Sequence, residues 1–369
     1  MRIAQMAPIW YSIPPRGYGG IEQVVHLLTE GLVKRGHDVT LFASGDSVTG
    51  GELCSVFDFG PCEQMGHIYP DLLHVISAYQ HADEFDIIHD HSGMIGPAIG
   101  SVVKTPVLHT LHGPATDDNK RLYKLLSPNI YFNAISDYQK MCFGDLNFVG
   151  TIYNAVDTET YPLVEDKEDY LLFVGRMSFQ KGAQIAVNVA KKLGMKIKLV
   201  TKISEPHEKK YFAEYVEPNM TSSCELIGDI DLEEKINIYA KAKCTLFPIQ
   251  WPEPFGLVMA ESMATGTPVI AVKDGAVPEV VHDGKTGYLV NNNVDEMCEA
   301  VKKMDKIEPK KCRQHVVDNF SVMAMVKNYE SAYELICNRA AISGFDKFMS
   351  ADIKISHNRR GVGQKRQAL

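Results

Sequence analysis

The sequence predicts an α/β protein made of two doubly wound domains that face each other across a cleft. Three observations carry this expectation. Short β-branched apolar runs alternate with longer segments of helical periodicity, the pattern of parallel sheets covered on both faces. The length, 369 residues, suits two domains. A polar, acidic stretch over 157–169, containing Pro162, separates two such alternating series and reads as the linker.

In the first series the strand candidates cover 2–8, 38–43, 86–89, 106–111, 131–135 and 150–153. Between the first two, Val24, Leu28 and Leu32 recur at helical spacing over 21–35, with Val25 beside them, and Gly36 is a natural stop. The second series has strand candidates at 170–174, 196–200, 224–227, 244–248, 268–272 and 287–290. Helical segments between them include 183–193, 232–242 and 255–264, and the chain finishes in helices over 294–304, 309–319 and 322–341. The expected domains are 1–160 and 161–335, with a C-terminal helix and basic tail over 336–369 that can return to the first domain. Ligands of such sheets sit beyond the carboxyl ends of the strands, so the cleft is the expected site.

Composition narrows the function. Hydrophobic residues make up 45% and charged residues 23%, which argues against a disordered or fibrous chain. The balance of 38 basic and 46 acidic side chains argues against a nucleic-acid partner. No apolar run approaches the ~18–20 residues of a membrane span. The first fifteen residues lack the apolar core and small-residue cleavage site of a signal peptide, so a soluble cytoplasmic protein is expected. The eight cysteines form no C-x-x-C pair and are expected to be reduced and mostly buried. His89, His91, His109 and His112 cluster in sequence without H-E-x-x-H or comparable spacing, so a zinc site has little support. The tail 357–369 carries Arg359, Arg360, Lys365 and Arg366 and no acidic group. It reads as a frayed, solvated end, with peripheral attraction to an anionic membrane as the alternative.

Three segments carry chemistry. Gly17, Gly19 and Gly20 lie between the first strand and the first helix, where backbone can approach a phosphate at a helix start. Glu22 stands where the dinucleotide fingerprint needs its third glycine, and a plain flexible connector accounts for these glycines almost as well. In Val174-Gly175-Arg176-Met177-Ser178-Phe179-Gln180-Lys181-Gly182, a guanidinium fork and an ammonium stand between a strand end and a helix start, a combination suited to a diphosphate.

The third segment runs from Trp251 to Pro268. Pro254 suits a first helical turn, and Gly266 with Pro268 suits its end. Glu253 then lies at the helix entrance and Glu261 about two turns on. One carboxylate can face a bound sugar while the other meets another part of the same ligand. The amides of Phe255, Gly256 and Leu257 would be free donors.

The spacing of Glu253 and Glu261, E-x7-E within E-P-F-G-L-V-M-A-E-S-M-A-T-G-T-P, together with V-G-R-M-x-x-x-K-G and G-G-I-E-Q-V-V, resembles a retaining glycosyltransferase of family 4. H-T-L-H-G around His112, A-I-S-D-Y-Q at 134–139, N-A-V-D at 154–157 and G-A-V-P-E-V-V at 275–281 extend the resemblance over residues 1 to about 335. It implies the GT-B fold: two Rossmann-like domains, the first binding an acceptor and the second a nucleotide sugar.

The resemblance further implies that Arg176 and Lys181 bind the donor diphosphate, with Gly19 and Gly20 closing over it. Glu253 and the amides of Phe255, Gly256 and Leu257 would hold sugar hydroxyls, Glu261 the ribose, and His112 would sit beside the transferred sugar. Ile203 and Ile230, each just past a predicted strand, are assigned to the base. No cofactor or essential metal is implied. The donor is taken as UDP-glucose first and GDP-mannose second, and the acceptor as a hydroxyl of unspecified class approached by 45–67 and 113–121. A nucleotide-sugar epimerase, an NAD-dependent oxidoreductase and a catalytically silent nucleotide-sugar binder are the rival readings.

Overall fold

A computed structural model describes residues 1–342 apart from Tyr18 and Asp229. The first series forms a seven-stranded sheet of β1 Arg2–Met6, β2 Asp38–Phe42, β3 Glu52–Cys54, β4 Ile87–Asp90, β5 Val107–Leu111, β6 Tyr131–Ala134 and β7 Phe148–Thr151. All its pairings are parallel, in the order β3-β2-β1-β4-β5-β6-β7. The second series forms a six-stranded parallel sheet of β8 Tyr170–Val174, β9 Lys196–Val200, β10 Cys224–Ile227, β11 Cys244–Phe247, β12 Val269–Val272 and β13 Gly287–Val290, ordered β10-β9-β8-β11-β12-β13. Strands β4 and β5 are buried along their whole length, as central parallel strands covered on both faces must be. In each sheet the winding reverses beside the first strand, between β1 and β4 and between β8 and β11. Such reversals open a crevice at the carboxyl ends.

Several elements fall where none was predicted, among them the helices Ile95–Gly100, Asp117–Leu126 (over part of the expected loop 113–121) and Asp137–Phe143. Strand β3 lies inside 45–67; three residues beside Gly50 and Gly51 are too few to show alternation. The helix Ile68–Tyr79 buries His74, Val75, Ala78 and Tyr79 yet exposes Ile68, Tyr69 and Ile76, so no single apolar stripe marks it. Strand β7 sits slightly earlier than expected. The helix expected at 255 starts at Leu257, which leaves Pro254 ahead of the first turn. All eight cysteines are free, but only Cys244, Cys298 and Cys312 are buried; Cys62 is exposed.

The last described helix, Val322–Ile342, leaves the second domain and packs on the first. Val326, Tyr329, Tyr333 and Ile336 are buried with Val24, Leu28 and Leu32 of the helix Gly20–Lys34. Gly31 permits this approach, because a Cβ there would lie 2.5 Å from Val326 Cγ2. The crossing is marked by the Val156 amide donating to the Phe320 carbonyl at 2.9 Å. The return therefore begins at 322, ahead of the boundary expected at 335, while the basic tail lies outside the described residues. Among the described residues no helix is long and apolar enough to cross a membrane.

Candidate functional site

The strands β8 and β11 are neighbours at the reversal of the second sheet, and the segments leaving their carboxyl ends build one side of the cleft. After β8 the chain passes Gly175 and Arg176, makes a 3₁₀ turn at Phe179–Lys181 and enters the helix Ala183–Leu193. Lys181 thus sits just before the helix rather than in its first turn. After β11 comes the loop carrying Trp251 and Glu253. The two loops are stitched together: the Gln250 amide donates to the Gln180 carbonyl at 2.8 Å, and its side-chain Nε2 donates to the Phe179 carbonyl at 2.7 Å.

That stitching sets Lys181 Nζ 2.6 Å from Glu253 Oε2. Trp251 Nε1 donates to the same oxygen at 2.9 Å, and the lysine ammonium lies 5.3 Å from the indole centroid. The Glu253 backbone is clamped from behind by the turn after β12. Gly275 there has φ +59°, and a Cβ on it would meet the Glu253 nitrogen at 2.4 Å, so only glycine fits. The next amide, Ala276, donates to the Glu253 carbonyl at 2.8 Å. The Arg176 side chain, in contrast, is exposed and enters no hydrogen bond or ion pair among the described residues; its backbone carbonyl accepts from the Ser178 amide at 2.8 Å.

Past Glu253, Phe255 is buried against Phe320 and Tyr153. Gly256, at φ +87°, turns the chain into the helix Leu257–Ala264. Leu257 packs against core residues of both domains and faces Gly20, whose Cβ position lies 3.4 Å from Leu257 Cδ1. Gly20 therefore lies against Leu257, whereas Gly19 is packed on Pro15 and Glu22, and Tyr18 between the motif glycines lies outside the described residues. Glu261 is held by three donors: Tyr239 at 2.9 Å, Lys235 at 3.1 Å and Tyr161 at 3.2 Å. Burial, with the Glu261 charge beside them, pushes both tyrosine pKa values well up. Ile203 and Ile230 follow the paired strands β9 and β10 and are half-buried against the second core.

The first domain supplies His112, immediately past β5. Its Nε2 lies 2.9 Å from Nδ1 of His91, which follows β4. Burial, and secondarily the His109 charge, lowers the His112 pKa to about 3, so the ring is neutral. The four clustered histidines do converge, but their nitrogens bond to one another and to neighbouring side chains, with His109 on Asp90 at 2.8 Å. The domains are also pinned by Glu279, whose carboxylate accepts the backbone amides of Asp137 at 2.8 Å and Tyr138 at 2.7 Å, and the Tyr153 hydroxyl at 3.1 Å.

Sequence reasoning missed Trp251, Gly275, Glu279 and the donors to Glu261. Trp251 stands two residues from Glu253, and Gly275 with Glu279 lies in a motif already singled out, so position alone could have flagged them. Lys235, Tyr161 and Tyr239 are distant in sequence and carry no local signal.

Comparison with known proteins places this geometry. Residues 160–319 match the family described as glycosyl transferases group 1, and residues 18–160 match Glycosyltransferase Family 4. These are the two domains of a GT-B glycosyltransferase. The chain is 22% identical to an uncharacterized glycosyltransferase of Methanocaldococcus jannaschii, over 85% of this chain and 92% of the relative. Among solved structures, this GT-B glycosyltransferase resembles AviGT4, a glycosyltransferase involved in avilamycin A biosynthesis, at 25% identity and a TM-score of 0.71 over 92% of this chain and 99% of that one. It shares its fold with Anabaena Alr3699/HepE, solved in complex with UDP and glucose, at 18% identity and a TM-score of 0.72 over 91% and 100% of the two chains.

Proposed function

We propose that the protein transfers a hexose from a nucleoside-diphosphate sugar to a hydroxyl acceptor, with retention of anomeric configuration and no essential metal. The observation that carries this reading is the cationic pair leaving β8: the Arg176 side chain, exposed and without a hydrogen bond or ion pair among the described residues, and Lys181 held against Glu253, at the reversal point of a parallel sheet. UDP-glucose is the first donor to test and GDP-mannose the second; the solved UDP complex of a chain with this fold supports that order. A cytoplasmic location accompanies the use of such donors.

The chemistry follows from charge. Breaking the anomeric C–O bond places negative charge on the leaving diphosphate. Arg176 and Lys181 stabilise that charge more in the transition state than in the ground state, which is what accelerates a reaction. Glu253 offsets the lysine while the site is empty and offers its carboxylate to sugar hydroxyls when the donor arrives. Glu261 would take the ribose, Ile203 and Ile230 the base, and the amides of Phe255, Gly256 and Leu257 the sugar. His112 would touch the transferred sugar from the other domain. Departure and attack on the same face, with the diphosphate oxygen receiving the acceptor proton, needs no enzymatic nucleophile.

Thermal stabilisation by UDP, GDP, ADP and NAD at matched concentration tests the reading. A ligand at 100 times its Kd adds about 2.7 kcal/mol. Stabilisation by one nucleoside diphosphate fixes the donor class. Stabilisation by NAD alone, or by none of the four, sinks the proposal.

A further inference from the structure

The residue behind His112 is part of a hydrogen-bonded series that runs from the cleft to the last helix. His91 Nδ1 meets His112 Nε2 at 2.9 Å, and His91 Nε2 meets Gln5 Oε1, from β1, at 3.2 Å. The other end of the Gln5 amide, Nε2, donates to the Tyr333 hydroxyl at 3.0 Å. That hydroxyl lies 2.7 Å from His89 Nδ1, and His89 Nε2 lies 2.7 Å from Thr110 Oγ1. Gln5, His89 and Tyr333 are fully buried and His91 nearly so, so each of their polar atoms must find its partner within the protein.

We infer that His91, oriented by Gln5, is a positioning residue that fixes His112 with its proton on Nε2 and its Nδ1 bare. The direction follows from donor arithmetic. An amide oxygen only accepts, so the proton of His91 is on Nε2, where it meets Gln5 Oε1. A neutral imidazole carries one N–H, which makes His91 Nδ1 an acceptor. The contact at 2.9 Å then requires His112 Nε2 to donate. The series behind it obeys the same rule: Tyr333 accepts from Gln5 and donates to His89 Nδ1, leaving His89 Nε2–H for Thr110. Burial keeps His89, His91 and His112 neutral, as this scheme needs. His109 stands apart, held by Asp90.

The consequence is chemical. With Nδ1 bare, His112 can accept a hydrogen bond from a sugar hydroxyl, and that nitrogen cannot act as a donor. Tyr333 belongs to the helix that returns from the second domain, so the far end of the series is fastened to the element that completes the first domain's core. The inference rests on the reading that His112 touches the transferred sugar, and the test separates the two.

Long-range proton–nitrogen spectra of the full chain labelled with ¹⁵N-histidine report which ring nitrogen carries the proton, without substrate. The His112 signals are identified by their loss in His112→Gln. The expected result is a protonated Nε2 and an unprotonated Nδ1 at neutral pH; a proton on Nδ1 overturns the inference. Release of UDP from UDP-glucose supplies the second readout. His91→Asn, whose amide oxygen can replace Nδ1 as acceptor, should retain most turnover, while His91→Leu should lose about 10–100-fold in kcat with KM little changed. Equal loss in both variants, or none in His91→Leu, also overturns it. Full activity in His112→Ala would sink the sugar-contact reading instead, whatever the tautomer.

Discussion

Lys181 donates to Glu253 across 2.6 Å, joining a residue assigned to the diphosphate directly to one assigned to the sugar. The two roles are therefore coupled before any donor binds. Trp251 completes the unit, donating to the carboxylate and offering its ring to the ammonium. The Arg176 side chain, by contrast, enters no ion pair among the described residues.

That asymmetry distinguishes two variants. Arg176→Ala and Lys181→Ala should each lower kcat by about 10–100-fold, the cost of one charge-assisted hydrogen bond to the leaving group. Only Lys181→Ala should also lower thermal stability, because it strands the largely buried Glu253 carboxylate, a loss on the order of 1–3 kcal/mol. Unchanged turnover in either variant removes the diphosphate assignment.

Glu261 already accepts from Tyr161, Lys235 and Tyr239, and a carboxylate offers about four lone-pair sites. One remains for a ribose hydroxyl. Glu261→Ala should raise the donor KM with little change in kcat, since ribose contacts are the same in ground and transition states. It should also destabilise the fold by about 1–3 kcal/mol through the stranded Tyr239 hydroxyl. A pure loss of kcat in steady-state kinetics would contradict the ribose role.

Glu279 reaches from the second domain to two free amides at the start of the helix Asp137–Phe143 in the first. Glu279→Ala removes a charged acceptor from those donors and from the Tyr153 hydroxyl, three hydrogen bonds between the domains in all. Thermal melting should fall by the equivalent of about 1.5–3 kcal/mol, and small-angle scattering should show a more open average shape. A variant that melts and scatters like the parent would show that this contact does not hold the domains.

Acid should weaken the protein early. Burial lowers the pKa of His89, His91 and His112 below the usual value near 6.5, His112 to about 3. Below pH 6.5 the unfolded chain takes up protons that the folded one refuses, so unfolding gains on folding as pH drops toward 3. Thermal midpoints should decline steadily from pH 6.5 to 5. A flat profile over that interval would mean these rings are protonated in the folded state.

Much of this was legible in the chain. The run Cys244–Phe247 is buried on both faces and reads as a strand without help, and Glu253 and Glu261 lie ahead of and within a helix that glycines and prolines punctuate at both ends. The helix Ile68–Tyr79 was not, because its outward face is as apolar as its inward one. Nor could local pattern pair Glu261 with Tyr161, 100 residues away, or Gln5 with Tyr333, 328 residues away. Periodicity reports a residue's own element; such partners depend on how elements meet.

The last helix makes the first domain the product of two distant stretches of chain. Val326, Tyr329, Tyr333 and Ile336 complete a core whose other half is made of residues from the first half of the sequence. An expression fragment ending near residue 160 would expose that apolar seam and leave Gln5 and His89 without their tyrosine partner, so it should aggregate rather than fold. Supplying residues 322–342 through a short flexible tether after the first sheet should restore a soluble first domain. The same geometry makes the chain cross between the domains twice, near Val156 and near Phe320, and the two crossings run side by side as a short parallel bridge.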